Sequence, residues 1–212
     1  MLCFVHGLGV GQAYFDPLAR ELGGLQLRPD LREQLPIPEL ALKLEEQLAA
    51  PALLVANSMG CQVACELALR RPELVQALAL IGPTVDPGAR SFLRYGLRLV
   101  VDGWFEPPKL TGIVIRDYLH RGPAALVRQA RYALADAVEE RLPAIEVPAI
   151  VLRGAHDPLC PAPWAQQAAL LLRTRLVTIA GGGHAVHYSH PKAVAEEIRR
   201  LARLAETGAT RG

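Results

Sequence analysis

One serine stands between an apolar strand and a helix, and this junction limits the fold more than any other feature of the chain. The apolar run 51–55 leads into the pentapeptide Ala-Asn-Ser-Met-Gly at 56–60, and a helical pattern over 61–69 follows at once. A strand that passes into a helix over so few residues turns sharply, and the neighbouring side chains must be small because the two backbones crowd there. The pattern predicts that the turn presents the hydroxyl of Ser58 at the carboxyl end of a sheet and leaves the backbone N–H of Met59 free. A serine that only caps an ordinary helix fits the same five residues.

Short apolar runs alternate with helical patterns along most of the chain. The predicted strands lie near 2–5, 25–27, 52–56, 75–81, 148–153 and 175–179, and the predicted helices near 14–23, 38–49, 59–70, 163–173 and 191–204. This alternation predicts an α/β fold, with a mostly parallel sheet of about six strands and helices on both faces. The strand at 25–27 is expected near a sheet edge, which dimerisation would cover. Because the first strand begins beside Met1, either the N-terminal part of the sheet is reduced or the true start lies upstream.

The first predicted strand runs into a glycine-rich loop. His6 and Gly7 come directly after the strand, and further glycines follow up to residue 11. Glycines let the backbone approach a ligand closely, so the backbone N–H of Leu8 is expected to face the same point in space as that of Met59. Two such donors form an oxyanion hole. A phosphate-binding loop is the alternative interpretation, but the third glycine of a dinucleotide motif and the Lys-Ser/Thr pair of a P-loop are both missing.

An acid and a histidine follow two later strands. Asp157 lies in the loop beyond the strand at 148–153, and His184 follows three glycines after the strand at 175–179. An acid in that place can accept a hydrogen bond from the far nitrogen of a histidine, which fixes its tautomer and stabilises the imidazolium. His184 is therefore the predicted general base. Asp157 also fits an ordinary turn before a proline, and Asp86 is a rival acid that also fits a helix start.

Two more histidines follow His184. His187 and His190 are expected to cap the next helix or to pack against it. A three-histidine metal site is the alternative, but no acidic or cysteine partner adjoins these residues. The prediction is that the site holds no metal.

The order of these residues resembles that of the α/β-hydrolase fold superfamily, in particular its capped, serine-esterase-like members. Ser58, Asp157 and His184 follow strands in that order along the chain. The glycine-rich loop that begins at His6 precedes them and resembles the family's oxyanion motif. The resemblance implies catalytic roles for Ser58, Asp157 and His184, an oxyanion hole at Leu8 and Met59, substrate contacts at His6 and Gly7, and no cofactor. Ala56 and Asn57 depart from the family, which usually has a glycine and an aromatic residue or histidine before the serine.

The stretch between the fourth and fifth predicted strands has helical periodicity and no strand pattern. In the family this position holds a helical cap, so the chain is expected to divide into a hydrolase core at 1–83 and 143–206 and a cap at 84–142, with 207–212 as a frayed tail. The cap contains six of the eleven aromatic residues, which favours an apolar pocket wall. Trp104 and Phe105, beside a glycine and before two prolines, are the predicted substrate contacts in this region.

Composition and hydropathy argue against some classes of binding partner. Hydrophobic residues make up 51% of the 212 residues, the formal net charge is +2, and the basic residues are dispersed, so no nucleic-acid surface is predicted. The first strand leaves no room for a signal peptide and no apolar stretch is long enough to span a bilayer, so no membrane partner is expected. The four cysteines lack a disulfide spacing, which predicts buried thiols in the reducing cytoplasm. The expected partner is a small-molecule substrate, and the expected state is a monomer or a homodimer.

The predicted function is hydrolysis of a small carboxylic ester through an acyl-enzyme on Ser58. One alternative within the family is a C–C bond hydrolase or lyase that acts on a diketone or a menaquinone-pathway intermediate. Such enzymes need basic cap residues to hold a carboxylate, and Arg90, Arg94, Arg98 and Arg116 are available. Another alternative is a non-catalytic member that only binds a ligand.

Overall fold

The computed structural model of the chain describes residues 1–208. Its strands are β1 Leu2–Val5, β2 Gln26–Leu27, β3 Ala52–Asn57, β4 Val75–Ile81, β5 Ala149–Gly154 and β6 Leu176–Ile179. Its α-helices are α1 Asp16–Leu22, α2 Ile37–Gln47, α3 Met59–Arg70, α4 Phe92–Asp102, α5 Pro108–Arg121, α6 Pro123–Ala135, α7 Val138–Arg141, α8 Ala162–Leu171, α9 Val186–Ser189 and α10 Pro191–Glu206. All the predicted strands and helices are present, and the expected strand bounds are met within one residue.

The six strands form one sheet in the order β2-β1-β3-β4-β5-β6, and every neighbouring pair is parallel. This confirms the predicted parallel sheet of about six strands and places the short β2 at an edge. After β1 the chain builds outward to β2 and then returns to the other side of β1 with β3. The strand order therefore reverses between β1 and β3, and open α/β sheets bind ligands outside the carboxyl ends of the strands at such a point.

Helices cover both faces of the sheet because the strands are apolar on both sides. All six residues of β3 are buried, and consecutive side chains enter opposite layers, as the period of two in a strand requires. Leu54 belongs to the layer that contains apolar residues of α2, α3 and α8. Val55 belongs to the layer that contains those of α1 and α10. This double packing holds the ends of β1 and β3 rigidly beside each other.

Between β4 and β5 the alternation of strands and helices stops, and α4, α5, α6 and α7 follow one another. This helical insertion agrees with the predicted fold. Of the expected frayed tail 207–212, residues 209–212 lie outside the described part of the chain. Within residues 1–208, no helix is both long enough and apolar enough to cross a bilayer.

Candidate active site

The junction between β3 and α3 has the backbone of a sharp elbow. Ser58 has φ 58° and ψ −126°, a conformation that costs a non-glycine residue about 1–3 kcal/mol and persists only where the surroundings enforce it. The crowding predicted from the sequence is present, since a Cβ atom on Gly60 would lie 2.2 Å from the carbonyl oxygen of Val5. Ser58 is 8% exposed and lines a cavity. Neither the strained backbone nor the position at a cavity is expected of a serine that only caps a helix.

Asn57 ties this elbow to the loop that carries His184. Its side-chain amide donates to the backbone oxygen of Ile81 at 3.1 Å and to that of His184 at 3.3 Å. The residue that departs from the family pattern therefore links the serine turn to the histidine loop, and the sequence pattern contained no signal for this contact.

Asp157 and His184 form a buried pair at the ends of β5 and β6. Asp157 Oδ2 lies 2.9 Å from His184 Nδ1, and its Oδ1 accepts hydrogen bonds from the backbone N–H groups of Leu159 and Cys160, both at 2.9 Å. The carboxylate is thus held by three partners, which orient it toward the imidazole. Among residues 1–208, the buried His184 Nε2 has no hydrogen-bond partner, and His184 lines the same cavity as Ser58.

The electrostatics of this pair favour its charged form. Burial lowers the pKa of His184, but the charge and hydrogen bond of Asp157, with smaller effects from Asp102 and Glu106, raise it to about 9. Burial also opposes ionisation of Asp157, yet the charge of His184 and the hydrogen bonds hold the pKa of Asp157 below its usual value. Both shifts therefore favour an imidazolium beside a carboxylate in the free protein.

The rival candidates lie elsewhere. Asp86 accepts a hydrogen bond from the backbone of Gly88 and forms an ion pair with Arg98 at 2.9 Å, so the acid beside His184 is Asp157. His187 packs against the rings of Tyr14 and Phe15, with centroids 4.6 and 4.4 Å away, and burial lowers its pKa to about 3.

One cavity of about 420 Å³ opens at the carboxyl ends of the strands. The sheet side contributes Gly7, Leu8, Ser58 and His184, so the predicted loop, elbow and histidine face one space. Met59 is buried below it as the first residue of α3, where its backbone N–H has no carbonyl partner within the helix. The helical side contributes apolar side chains of α4, α5 and α6, among them Phe92, Leu99, Leu110, Val114 and Leu126. None of the lining residues is a lysine or an arginine.

The hydroxyl groups of Thr84 and Tyr95 lie near that of Ser58. Its Oγ lies 3.4 Å from Thr84 Oγ1, and Tyr95 of α4 lines the cavity beside it. Burial raises the pKa of Tyr95 to about 12, although the hydroxyls of Thr84 and Ser58 favour its ionised form. Tyr95 therefore remains a neutral hydroxyl group at any physiological pH.

Two acids of the helical segment hold the histidine loop, and the sequence analysis missed both. Asp102 Oδ1 accepts a hydrogen bond from the backbone N–H of His184 at 2.9 Å. Glu106 Oε1 accepts one from that of Ala185 at 2.6 Å. Burial, followed by the charge of Asp102, raises the pKa of Glu106 to about 8, so this carboxyl group keeps its proton at neutral pH. The sequence separates these acids from the loop by about eighty residues and contains no local signal for the contact.

Three predicted substrate contacts require correction. Trp104 is 85% exposed, and Phe105 stacks on His156 with centroids 5.0 Å apart, so neither lines the cavity. His6 is buried, with Nδ1 2.9 Å from the oxygen of Gly7 and Nε2 accepting from the backbone N–H of Leu31 at 3.1 Å. The histidine fixes the shape of the glycine loop and, unlike Gly7, does not border the cavity.

Comparison with known proteins agrees with this architecture. The sequence profile of the alpha/beta hydrolase family matches residues 4–197. A hydrolase from Oleispira antarctica superposes with a TM-score of 0.77 at 15% identity, over 95% of this chain and 90% of its own. A thermophilic esterase from Thermogutta terrifontis gives 0.71 at 20% identity, over 96% and 89%. An enol-lactonase from Burkholderia xenovorans gives 0.74 at 18% identity, over 95% and 90%. No protein with a curated function matches the sequence.

Proposed function

This chain belongs to the alpha/beta hydrolase family, and we propose that it is a serine hydrolase that cleaves a small carboxylic ester with an apolar acyl or alcohol part. The observation that carries the proposal is that a strained serine and a histidine oriented by an acid face one cavity, although Ser58 Oγ and His184 Nε2 are not hydrogen-bonded to each other among the described residues. Ser58 and His184 line one cavity, and Asp157 holds the far side of the imidazole at 2.9 Å.

The proposed reaction assigns one role to each of these three residues. Neutral His184 accepts the proton of Ser58 at Nε2, the Ser58 oxygen attacks the ester carbonyl carbon, and the alcohol leaves with a proton from the imidazolium. The backbone N–H groups of Leu8 and Met59 hold the negative oxygen of the tetrahedral intermediate. The loss of one such donor costs about 3–4 kcal/mol of transition-state stabilisation in comparable enzymes. Water, deprotonated by His184, then releases the acid and restores Ser58.

The cavity supports an uncharged substrate. Its helical wall consists mainly of apolar side chains, and no lysine or arginine lines it. Of the four arginines considered for a carboxylate, Arg90 bonds to Glu139, Arg94 to the oxygen of Gly88, Arg98 to Asp86 and Arg116 to Asp117. These contacts do not favour the C–C bond hydrolase or lyase alternative, which needs a cation for its carboxylate. In this proposal residues 84–142 act as the cap and shape the acyl or alcohol pocket.

The experiment is labelling with a fluorophosphonate probe, followed by peptide mass spectrometry. The variants are Ser58→Ala, His184→Ala and, as a control, Ser189→Ala at the other serine near the histidine. We expect an adduct on Ser58 in the wild type and in Ser189→Ala, and none in the other two. Because the pKa of His184 is about 9, labelling is expected to be faster at alkaline than at neutral pH.

A panel of p-nitrophenyl esters of increasing chain length then tests the substrate class. The apolar cavity predicts a higher kcat/KM for butanoyl and longer chains than for acetyl. Absence of an adduct at alkaline pH, where a control hydrolase is labelled, would contradict the proposal and favour the non-catalytic, ligand-binding alternative. The four cysteines are free and buried, which supports a reducing compartment as the place of action.

A further inference from the structure

Helix α4 is amphipathic, but its apolar face points away from the protein. Tyr95, Arg98 and Asp102 lie on its inner face, and Asp102 is the only buried residue of the helix. The outer face contains Phe92, Leu93, Leu97, Val100 and Val101, which are 47 to 74% exposed, and Trp104, which follows the helix, is 85% exposed. These six residues are called the α4 surface below. A helix of a soluble domain normally turns its apolar side to the core, so this surface has no partner among residues 1–208.

The α4 surface is continuous with the mouth of the cavity. Phe92, Leu99, Ile115 and Val127 line the cavity and are also 38 to 55% exposed. Residues that border both the cavity and the solvent mark its opening, which therefore lies among α4, α5 and α6. An apolar molecule that reaches the α4 surface has an apolar path into the cavity.

The exposed charged residues of the helical segment 92–135, which forms this mouth, are all basic. Between residues 92 and 135 the only acids are Asp102, Glu106 and Asp117, and none of them is exposed. Five basic residues of the same segment are exposed, namely Arg94, Lys109, Arg116, Arg128 and Arg131. An apolar helix face among basic side chains is the composition of helices that lie in the interface of a bilayer containing anionic lipids.

We propose that the α4 surface docks on an anionic lipid surface, with Trp104 and the leucines of α4 in the interfacial region and the cavity mouth facing the lipid. Tryptophan is the side chain that prefers this depth. Exposure, charge and the position of the mouth support this docking independently of the proposed ester hydrolysis. This proposal departs from the expectation of no membrane partner, which rested on the absence of a signal peptide and of a spanning segment; a helix that lies in the interface needs no spanning segment.

A second copy of the chain is the competing occupant, and the charges favour lipid. A symmetric dimer places the same surface opposite itself. The exposed basic residues of the segment 92–135 would then approach their own copies. Arg116 pairs with the buried Asp117, and the segment has no exposed acid for the others. Anionic headgroups supply the missing opposite charge.

The test uses the fluorescence of Trp104 in the whole protein. The chain has two tryptophans, and Trp164 is 2% exposed, so a spectral change on docking reports Trp104. Vesicles of phosphatidylcholine with phosphatidylglycerol are compared with vesicles of phosphatidylcholine alone. We expect co-sedimentation and a blue shift with the anionic vesicles only, both reduced by added salt.

The variant that probes the surface is Leu93→Ser/Leu97→Ser, because neither leucine lines the cavity. We expect it to bind the anionic vesicles at least about tenfold more weakly than the wild type, since two inserted leucines are lost. The matched control is Leu25→Ser/Leu170→Ser, whose leucines are 75% and 77% exposed elsewhere on the protein, and its binding should equal that of the wild type. Labelling of Ser58 in solution should be the same in all three proteins, so that a failure of docking is separate from a failure of the proposed chemistry.

Three outcomes would overturn the inference. The first is the absence of binding to anionic vesicles, and the second is equal binding of the two double variants. The third is a concentration-dependent dimer that shields Trp104 without lipid, measured by sedimentation and by quenching with iodide. In that case a second copy is the occupant of the α4 surface.

Discussion

Helices α10 and α4 are both amphipathic, yet they direct their apolar faces in opposite directions. α10 buries Val194, Ala195, Ile198 and Leu201 against the sheet layer that also contains α1. α4 buries only Asp102 and exposes its leucines and valines. The two helices belong to two regions, the sheet with its flanking helices and the helical segment 84–142. The sheet region is therefore stabilised by its own core, whereas the helical segment exposes apolar surface that is available to a binding partner.

The two regions are expected to differ most in how much activity is lost when one hydroxyl group beside the site is removed. Ser58→Ala removes the hydroxyl on the sheet side, and we expect kcat/KM on a p-nitrophenyl ester to fall by about 10⁴- to 10⁶-fold, as the loss of a nucleophile does. Tyr95→Phe removes the hydroxyl on the helical side, which shapes the cavity without reacting, so we expect a fall of at most about tenfold. Steady-state kinetics on both variants give the comparison, and equal losses would show that the hydroxyl of Tyr95 is as necessary for the reaction as that of Ser58.

Truncation of one leucine in each helix tests where the stability lies. Leu201 of α10 is 3% exposed and Leu97 of α4 is 59% exposed. We expect Leu201→Ala to lower the free energy of unfolding by about 2–5 kcal/mol through the cavity that it creates. Leu97→Ala should change it by less than about 0.5 kcal/mol, as is usual for a surface position. Urea titrations provide both values, and a large loss in Leu97→Ala would mean that α4 is packed in solution.

Alanine at two glycines is expected to act in opposite directions. A Cβ atom on Gly60 would meet the backbone of β1 at 2.2 Å, whereas no atom lies within 4 Å of one on Gly96 in α4. We expect Gly60→Ala to destabilise the fold by about 1–3 kcal/mol or more through overpacking. Gly96→Ala should stabilise it by about 0.5–1 kcal/mol because alanine is the better helix former. Thermal unfolding measures both changes. An unchanged melting temperature in Gly60→Ala would contradict the close packing of the serine turn against β1.

The smallest expected effect is a shift of the pH–rate profile. The proposed mechanism predicts that activity rises as His184 loses its proton, with a pKa of about 9 that the charge of Asp102 helps to raise. Asp102→Asn keeps an oxygen for the backbone N–H of His184 but removes the charge, so the rise of kcat/KM should move to lower pH. Asp136→Asn, at an acid of the same segment bonded to Arg141 and Gln62, is the control and should leave the profile unchanged. If Asp102→Asn leaves the midpoint of the pH–rate profile unchanged, the charge of Asp102 does not affect the pKa of His184.

Much of the sheet side of the site was predictable because its signals are local. Ser58, Asp157 and His184 each follow an apolar run, and the parallel order of the strands brings the ends of such runs to one edge. The structure places His184 beside Asp157 rather than Asp86, a choice that the sequence analysis favoured but did not settle. The strand bounds were predictable for the same reason, since each buried strand is a short apolar run between turns.

The helical side was not predictable to the same degree. The enrichment of aromatic residues indicated an apolar wall, and Tyr95 and Phe92 do line the cavity. Trp104 and Phe105 were the wrong choice because their direction depends on how α4 ends and on what it packs against. Asp102 and Glu106 had no signal at all, since their partners lie about eighty residues away in the chain.

Local sequence is enough to specify the alternation of strands and helices, the sharp serine turn and the amphipathic character of α4 and α10, because these properties arise from neighbouring residues and the period of the backbone. The tertiary structure alone decided which way the apolar face of α4 points, which acids reach the loop of His184 and how far its pKa rises. Those properties depend on burial and on charges contributed by residues distant in the chain. A pattern in the sequence shows that a helix has two faces, but only the packing of the whole molecule shows which face remains uncovered.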